Sequence, residues 1–243
     1  MMTRRIIALT FMFVSLHHAH GQDALEDVHL FRSFFQDAAS ARAAYLDAGV
    51  SFDDYSSFNS FLFGARGVLP VAPDVELGAA WAFASVDPDF ADSRTGIADL
   101  LFNGRYNFSA ENTKLAAGGY LTLPIGQEKV GAGQMDLGFY GALRHPLQRQ
   151  TAVTGNLGLN FLNINGESTT SLALAGGLIH QTNEALSLIG EIGFQTRINF
   201  AQLSGGVDYK LSSGGRLRGV LGLGIDDGAP DFSLAGSYLH HFR

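Results

Sequence analysis

The sequence contains no cysteine, and this absence excludes a disulfide-stabilised secreted domain, a thiolate nucleophile and a thiolate metal site. Positive charge is also scarce, because 16 lysines and arginines stand against 23 acidic residues and leave a net charge of −7. Such a chain lacks the cations that neutralise phosphates, so we expect no nucleic-acid partner. Beyond the N-terminal region no run of about 18 apolar residues occurs, which excludes membrane-spanning helices. Motifs for metals or cofactors are missing too, and we expect neither group.

Glycine and phenylalanine are abundant, with 30 and 19 residues in a chain of 243. The hydrophobic share of 46% excludes a disordered chain, and the length suits one domain. The composition therefore indicates a single all-β domain with many glycine-containing strands.

The first 21 residues have the pattern of a secretory signal peptide. Arg4 and Arg5 give a positive start, Ile6–Leu16 is apolar, and Ala19 and Gly21 are the small residues of a cleavage site. An apolar stretch of this length is too short to span a bilayer, which takes about 20 residues. We expect export, with the mature chain beginning near residue 22.

Residues 22–42 have a different pattern, in which apolar residues recur at helical spacing. The apolar positions are Leu25, Val28, Phe31, Phe34, Phe35 and Ala38. This spacing predicts one short amphipathic helix. Two interpretations are open: the segment plugs a pore, or it is an ordered tail that leads into the first strand.

From about Tyr45 onward the hydrophobic period is two, which is typical of β-strands. Leu100, Phe102 and Tyr106, for example, share one face, whereas Asn103 and Arg105 share the other. Apolar side chains toward lipid and polar ones toward a wet lumen are the pattern of a transmembrane β-barrel. We predict a barrel over residues 43–243, with even-numbered side chains mostly toward lipid and about twelve antiparallel strands. The strands are expected near 43–53, 59–69, 75–85, 98–108, 113–123, 135–145, 151–161, 171–180, 186–197, 203–211, 216–226 and 231–242.

The connections between these strands alternate in length. Those near 69–74, 109–112 and 212–215 are compact turns, whereas 124–134 and 162–170 are longer. In a barrel with both termini in the periplasm, short turns lie on that side and longer loops outside. A soluble sandwich or lipocalin-like barrel would also alternate. The uniform strand lengths and the aromatic final strand favour the membrane barrel.

Several glycine-rich stretches resemble one known family. They are Gly96–Tyr106, Leu121–Gly126, Asn156–Asn160, Glu191–Gly193 and Arg216–Tyr238. Their order is similar to that of the outer-membrane family labelled "meta-pathway of phenol degradation" and its transporter relatives. The resemblance implies an outer-membrane channel, with hydrophobic or aromatic compounds among the candidate solutes.

Charged residues on the lumen face are the candidate selectivity residues, because an arginine or lysine in lipid costs about 2–4 kcal/mol at the midplane. They are Glu76, Asp99, Arg105, Lys114, Asp136, Arg144, Glu191, Arg197, Asp208, Lys210, Arg216 and Arg218. Either they form a ring that attracts anionic solutes, or they pair with one another and close the lumen. Small lumen-face residues such as Gly78 and Gly177 leave space for a solute or for residues 22–42.

These patterns predict a passive channel or transporter in the outer membrane of a Gram-negative-type bacterium. Its expected partners are outer-membrane lipid, the barrel-assembly machinery and a small-molecule solute. Two alternatives remain open: a structural or surface-binding barrel with a closed, salt-bridged lumen, and an outer-membrane hydrolase. For the hydrolase the only candidates are His180 and Thr182, with threonine where such enzymes carry a serine nucleophile. We therefore expect no enzymatic activity.

Overall fold

A computed structural model describes residues 23–127, 130, 133–164 and 167–242. The predicted signal peptide at residues 1–21 lies outside the described residues. The elements are α1 Asp23–Glu26, β1 Tyr45–Tyr55, β2 Phe58–Ala72, β3 Val75–Pro88, β4 Arg94–Ile97, β5 Leu100–Ala110, β6 Thr113–Leu123, β7 Asp136–Gln148, β8 Thr151–Ile164, β9 Glu167–Gln181, β10 Leu186–Gln195, β11 Phe200–Lys210, β12 Arg216–Gly224 and β13 Phe232–His241. In the part of the chain that the structure describes, no helix is long and apolar enough to cross a membrane.

The strands form one closed antiparallel barrel. Each strand pairs with its neighbours in the chain, and β1 also pairs with β13, so that Tyr45 lies opposite His241 and the ring closes. The short strand β4 continues the line of β5 along β3, with Ile97 opposite Phe83 and Leu101 opposite Ala80. That shift of register is a β-bulge between β4 and β5. The ring therefore has twelve strands, which confirms the predicted fold.

The outer face is apolar along the length of the strands. Leu172, Leu174 and Leu178 of β9 all point outward, as do Phe139 and Leu143 of β7. Closure is what makes such a surface compatible with lipid, because it leaves no unpaired strand edge. The outward side chains are even-numbered in β1, β5, β9, β10 and β13 but odd-numbered in the other seven strands of the ring. The expectation that even numbers mostly face lipid was wrong, because the length of each connection resets the parity.

The two ends of the barrel differ. We call the end with the β2–β3, β5–β6, β7–β8, β9–β10 and β11–β12 connections the turn end and the other the loop end. All five turn-end connections are compact, as predicted, the longest being residues 211–215. At the loop end, β8 and β9 stay paired up to Ile164 and Glu167, so the stretch 162–170 is mostly strand and not the long loop that we expected. Residue 44 leads into β1 at the turn end.

Residues 23–44, here called the N-terminal segment, lie inside the barrel. Val28, Leu30, Phe34 and Ala38 are buried among inward-facing side chains. Only Asp23–Glu26 is helical, so the helix predicted across residues 22–42 is wrong beyond its first turn. The physical reason is that lumen side chains bind the backbone N–H and C=O groups of the segment, which then do not pair with each other in helical turns.

Glycines on the lumen face make room for the side chains of the segment. A Cβ atom added at Gly78 would lie 2.6 Å from the Phe35 ring. At Gly177 it would lie 2.8 Å from Leu30. The space that these small residues leave is therefore filled by the N-terminal segment.

We expect Gly78→Val to loosen the segment, because the added carbons overlap the Phe35 ring, and overpacking of this kind costs about 1–3 kcal/mol. Hydrogen exchange of residues 33–37 in the refolded protein measures the effect. The matched control is Gly141→Val, since a Cβ there meets nothing within 4 Å. Equal exchange in the two variants would show that Phe35 does not hold the segment in place.

Candidate channel lumen

The structure brings most of the predicted lumen charges together. Seven are buried inside the barrel: Glu76, Arg105, Arg144, Glu191, Asp208, Arg216 and Arg218. Three are partly exposed: Asp99, Lys114 and Asp136. Asp99 and Asp136 accept hydrogen bonds from Gly126 N and Asn163 N, at 2.9 Å each, and Asp99 also lines the cavity described below. Lys114 pairs with Glu26 of the N-terminal segment.

The other two predicted residues do not face the centre of the lumen. Arg197 is exposed in the connection between β10 and β11, with φ at 72°. The prediction failed because β10 ends at Gln195, before Arg197 is reached. Lys210 is the last residue of β11 and is exposed at the turn end.

Two arginines on one side of the barrel bind the N-terminal segment through its carbonyl groups. Arg105 of β5 donates to Asp37 O and Ala39 O, at 2.5 Å each. Arg144 of β7 donates to Leu25 O at 2.8 Å and to Val28 O at 2.9 Å. Arg144 also forms an ion pair with the Asp37 carboxylate, and both side chains are almost fully buried. Guanidinium groups suit this role because their several N–H donors fan out in one plane.

Two further arginines do the same. Arg66 of β2 donates to Phe31 O at 2.7 Å, and its guanidinium lies 3.8 Å from the centre of the Phe34 ring. Arg218 of β12 donates to His29 O and, at 3.2 Å, to Leu30 O. The segment is thus held between Arg144 of β7 and Arg218 of β12, which project from nearly opposite walls.

Carboxylates hold the N–H groups of the segment. Glu191 accepts hydrogen bonds from three consecutive backbone groups, Phe31 N at 2.9 Å, Arg32 N at 3.1 Å and Ser33 N at 2.7 Å. Glu76 accepts one from Ala41 N at 2.8 Å. Hydrogen bonds to a charged acceptor are roughly twice as strong as neutral ones. The backbone of the segment therefore has charged partners of both signs.

The remaining charges pair with one another. Asp208 accepts from Arg216 Nε at 2.5 Å and from Arg218 Nε at 3.2 Å. Arg218 also donates to Asp47, 2.8 Å away, and Asp47 in turn accepts from Arg66 at 2.9 Å. This interleaving matches the salt-bridged interpretation in its geometry. Each of these three arginines has a carboxylate partner, which offsets part of the cost of burying it, although the three share the two carboxylates of Asp47 and Asp208.

Among the described residues, sequence reasoning missed six charged residues that form ion pairs in the lumen: Glu26, Arg32, Asp37, Asp47, Asp53 and Arg66. Asp47 and Arg66 lie on the inward faces of β1 and β2, opposite the outward Phe52 and Phe63. Strand parity, applied to these two strands, would have identified both. Asp37 lies in the N-terminal segment, and nothing in the local sequence pairs it with Arg144, which is 107 residues away.

A cavity of about 430 Å³ remains on the loop-end side of the segment. Phe31 and Arg32 of the segment form its floor, and its walls come from β1, β2, β3, β5, β11 to β13 and the β4–β5 bulge at residues 98–99. Among the described residues, the cavity therefore lies on the loop-end side and the segment fills the turn-end side.

The candidate hydrolase residues do not form a nucleophile–base pair. The His180 ring contacts Thr151, with 2.9 Å between Nδ1 and Oγ1, and Thr182 lies in the following connection. Among residues 23–127, 130, 133–164 and 167–242 no cluster of side chains suited to a metal ion occurs.

Comparison with solved structures supports the fold. An outer membrane channel from Pseudomonas putida F1 superposes with a TM-score of 0.70 at 15% identity, covering 85% of this chain and 97% of that one. The KdgM porin, solved with oligogalacturonate, gives a TM-score of 0.59 at 11% identity and covers 82% and 99%. The toluene transporter TbuX of Ralstonia pickettii gives 0.52 at 10% identity and covers 85% and 91%. These similarities show a shared outer-membrane barrel fold.

A search of proteins with curated functions found no match to the chain. One family model, described as "Putative MetA-pathway of phenol degradation", matches residues 36–240. The matched range begins in the N-terminal segment and extends through nearly the whole of β13. Together with the twelve-stranded barrel, this match shows that the chain belongs to that family of outer-membrane β-barrels.

Proposed function

We propose that the protein is a passive outer-membrane channel for small solutes, hydrophobic or aromatic ones included, and that its N-terminal segment is a displaceable plug. The observation that carries the proposal is the filling of the turn-end half of the lumen by residues 25–39. A solute that enters from the loop end reaches the cavity above Phe31 and Arg32 and then meets this segment. Passage therefore requires the segment to move.

The way in which the segment is held supports displacement. Its contacts with the wall combine apolar packing with hydrogen bonds and ion pairs through Arg66, Arg105, Arg144, Arg218 and Glu191. Such polar groups are hydrated again when the segment leaves, so the net stabilisation from each bond is only about 0.5–1.5 kcal/mol. The barrel ladder itself does not include the segment, and the strands can stay paired without it.

The paired charges of the lumen favour a second candidate function, a closed structural barrel. Arg105 with Glu76, and Asp208 with Arg216 and Arg218, need no partner from the segment. If these networks collapse across the lumen once the segment is absent, the barrel does not conduct.

Single-channel recording in planar bilayers tests the proposal, with the full chain compared to a protein that lacks residues 22–42. We expect rare openings in the full chain and a stable open conductance in the shortened one. Circular dichroism and heat-modified electrophoretic mobility serve as controls that both barrels are folded. A folded but silent shortened barrel would overturn the channel proposal and support the closed structural barrel.

A further inference from the structure

We infer that the cavity above the N-terminal segment binds a small organic carboxylate with an apolar body. This inference rests on the proposed channel function, for which it names a class of solute. The size of the cavity, about 430 Å³, falls within the range of small-molecule sites, about 300–1,000 Å³. A carboxylate on a six-membered carbon ring fits such a volume.

Three arginines and three acids line the cavity, and Arg32 is the most exposed of these six charged residues. The Arg32 side chain is 42% exposed, whereas that of its partner Asp53 is only 11% exposed. The Arg66 side chain is 27% exposed, against 1% for its partner Asp47. Asp47 and Asp53 thus lie behind the guanidinium groups, whereas the third acid, Asp99, is partly exposed and accepts a hydrogen bond from a backbone N–H group. Arg32 is therefore the most accessible charge for a solute in the cavity.

Arg32 keeps donors for a ligand. Within the described part of the chain, its hydrogen bonds to Asp53 at 3.2 Å and to Ser233 at 2.8 Å both use Nη2. Ser233 also donates to Asp53, at 2.6 Å, and so takes up part of the acceptor capacity of that carboxylate. The Nη1 and Nε groups remain as separate donors on either side of Cδ, and each can donate one charge-assisted hydrogen bond to a carboxylate oxygen.

The backbone beneath Arg32 is fixed before any ligand binds. Glu191 holds the N–H groups of Phe31, Arg32 and Ser33. A preorganised donor loses less conformational freedom on binding, which raises affinity.

The remaining cavity wall combines serines with apolar residues. Leu62, Leu101 and Val220 point inward from β2, β5 and β12. Gly49 and Gly64 add surface that carries no polar side chain. Apolar walls with a few placed donors favour a solute that has a carbon body and one charged end over inorganic anions.

Isothermal titration of the refolded full chain with benzoate tests the inference. We expect Arg32→Gln to weaken binding by about tenfold or more, because a charge-assisted pair is lost. Asp53→Asn should strengthen binding, because it removes the competing carboxylate. Arg42→Gln is the matched control: this arginine belongs to the same segment but pairs with Glu26 and does not line the cavity. An unchanged affinity in Arg32→Gln would overturn the inference.

Three further probes define the ligand class. Cyclohexanecarboxylate should bind, and its affinity relative to benzoate shows whether a planar ring is preferred. Binding of toluene or of inorganic phosphate as tight as that of benzoate would overturn the inference, because one lacks the carboxylate and the other the carbon body. Conductance of the shortened barrel is recorded separately. A conducting barrel without benzoate binding defeats only this inference, whereas benzoate binding with a silent barrel defeats the channel proposal.

Discussion

Replacing Arg144 with alanine should open the channel. The substitution leaves the Asp37 carboxylate buried without its counter-ion and removes the donor to Leu25 O and Val28 O. Removing one partner of a buried ion pair lowers stability by about 3–5 kcal/mol. Because the barrel strands do not depend on this pair, the cost falls on the inserted segment. We expect the closed-to-open equilibrium to shift by about two to three and a half orders of magnitude, measured as open probability in planar bilayers.

Arg216, whose side chain also faces the lumen, provides a matched control. Arg216 is buried to the same degree as Arg144, but it pairs with Asp208, which Arg218 also contacts. Arg216→Ala should therefore leave the open probability close to that of the unaltered chain. The double variant Arg144→Ala with Asp37→Ala should recover part of the closure, because no buried charge is left unpaired. Equal open probabilities for Arg144→Ala and Arg216→Ala would show that the ion pair does not control closure.

Replacing Glu191 with glutamine should loosen residues 31–33 of the N-terminal segment. The carboxylate accepts the N–H groups of three consecutive residues, and a glutamine has a single amide oxygen to offer. Each buried donor left without a partner costs about 1–3 kcal/mol. Hydrogen exchange of residues 31–33 should therefore rise by about one to two orders of magnitude in Glu191→Gln, since local opening sets that rate.

Asp136→Asn provides the comparison for Glu191→Gln. Asp136 is also a lumen-parity carboxylate, but it accepts Asn163 N and does not contact the segment. Exchange of residues 31–33 should be unchanged in this variant. If hydrogen exchange of residues 31–33 were no faster in Glu191→Gln than in Asp136→Asn, the packing of Phe31 and Phe34 alone would hold these residues in place.

The barrel could be predicted because its signal is local. In β5 the inward Asn103 and Arg105 alternate with the outward Phe102 and Tyr106, and this period of two is visible in any short stretch. The compact turns between the predicted strands then give the number of strands independently. One error arose at a strand end, at Arg197, because the ladder stops at Gln195 and the alternation beyond it no longer separates inward from outward residues. Another was the parity, which each connection resets.

The path of the N-terminal segment could not be predicted, because its partners are distant in sequence. The helical spacing from Leu25 to Ala38 shows only which side chains of the segment are apolar. The backbone conformation of the segment depends on the hydrogen bonds that its N–H and C=O groups form with Arg105, Arg144 and Glu191. Those contacts exist only after the barrel has closed. Strand alternation identified the inward charges such as Arg105 and Arg144, but it could not identify their partners, which are a backbone carbonyl and the Asp37 carboxylate of the N-terminal segment.

The seam of the barrel has a consequence for the order of assembly. Every other pairing in the ring joins strands that are near one another in the chain, whereas β1 and β13 join Tyr45 to His241. Contacts between such distant residues form late, because closing a long loop costs entropy before any contact forms. The N-terminal segment leaves β1 at this seam, where Phe242 N donates to the carbonyl of residue 44. Closure of the barrel and insertion of the N-terminal segment therefore both involve the pairing of β1 with β13. A defect in that pairing is expected to disturb both.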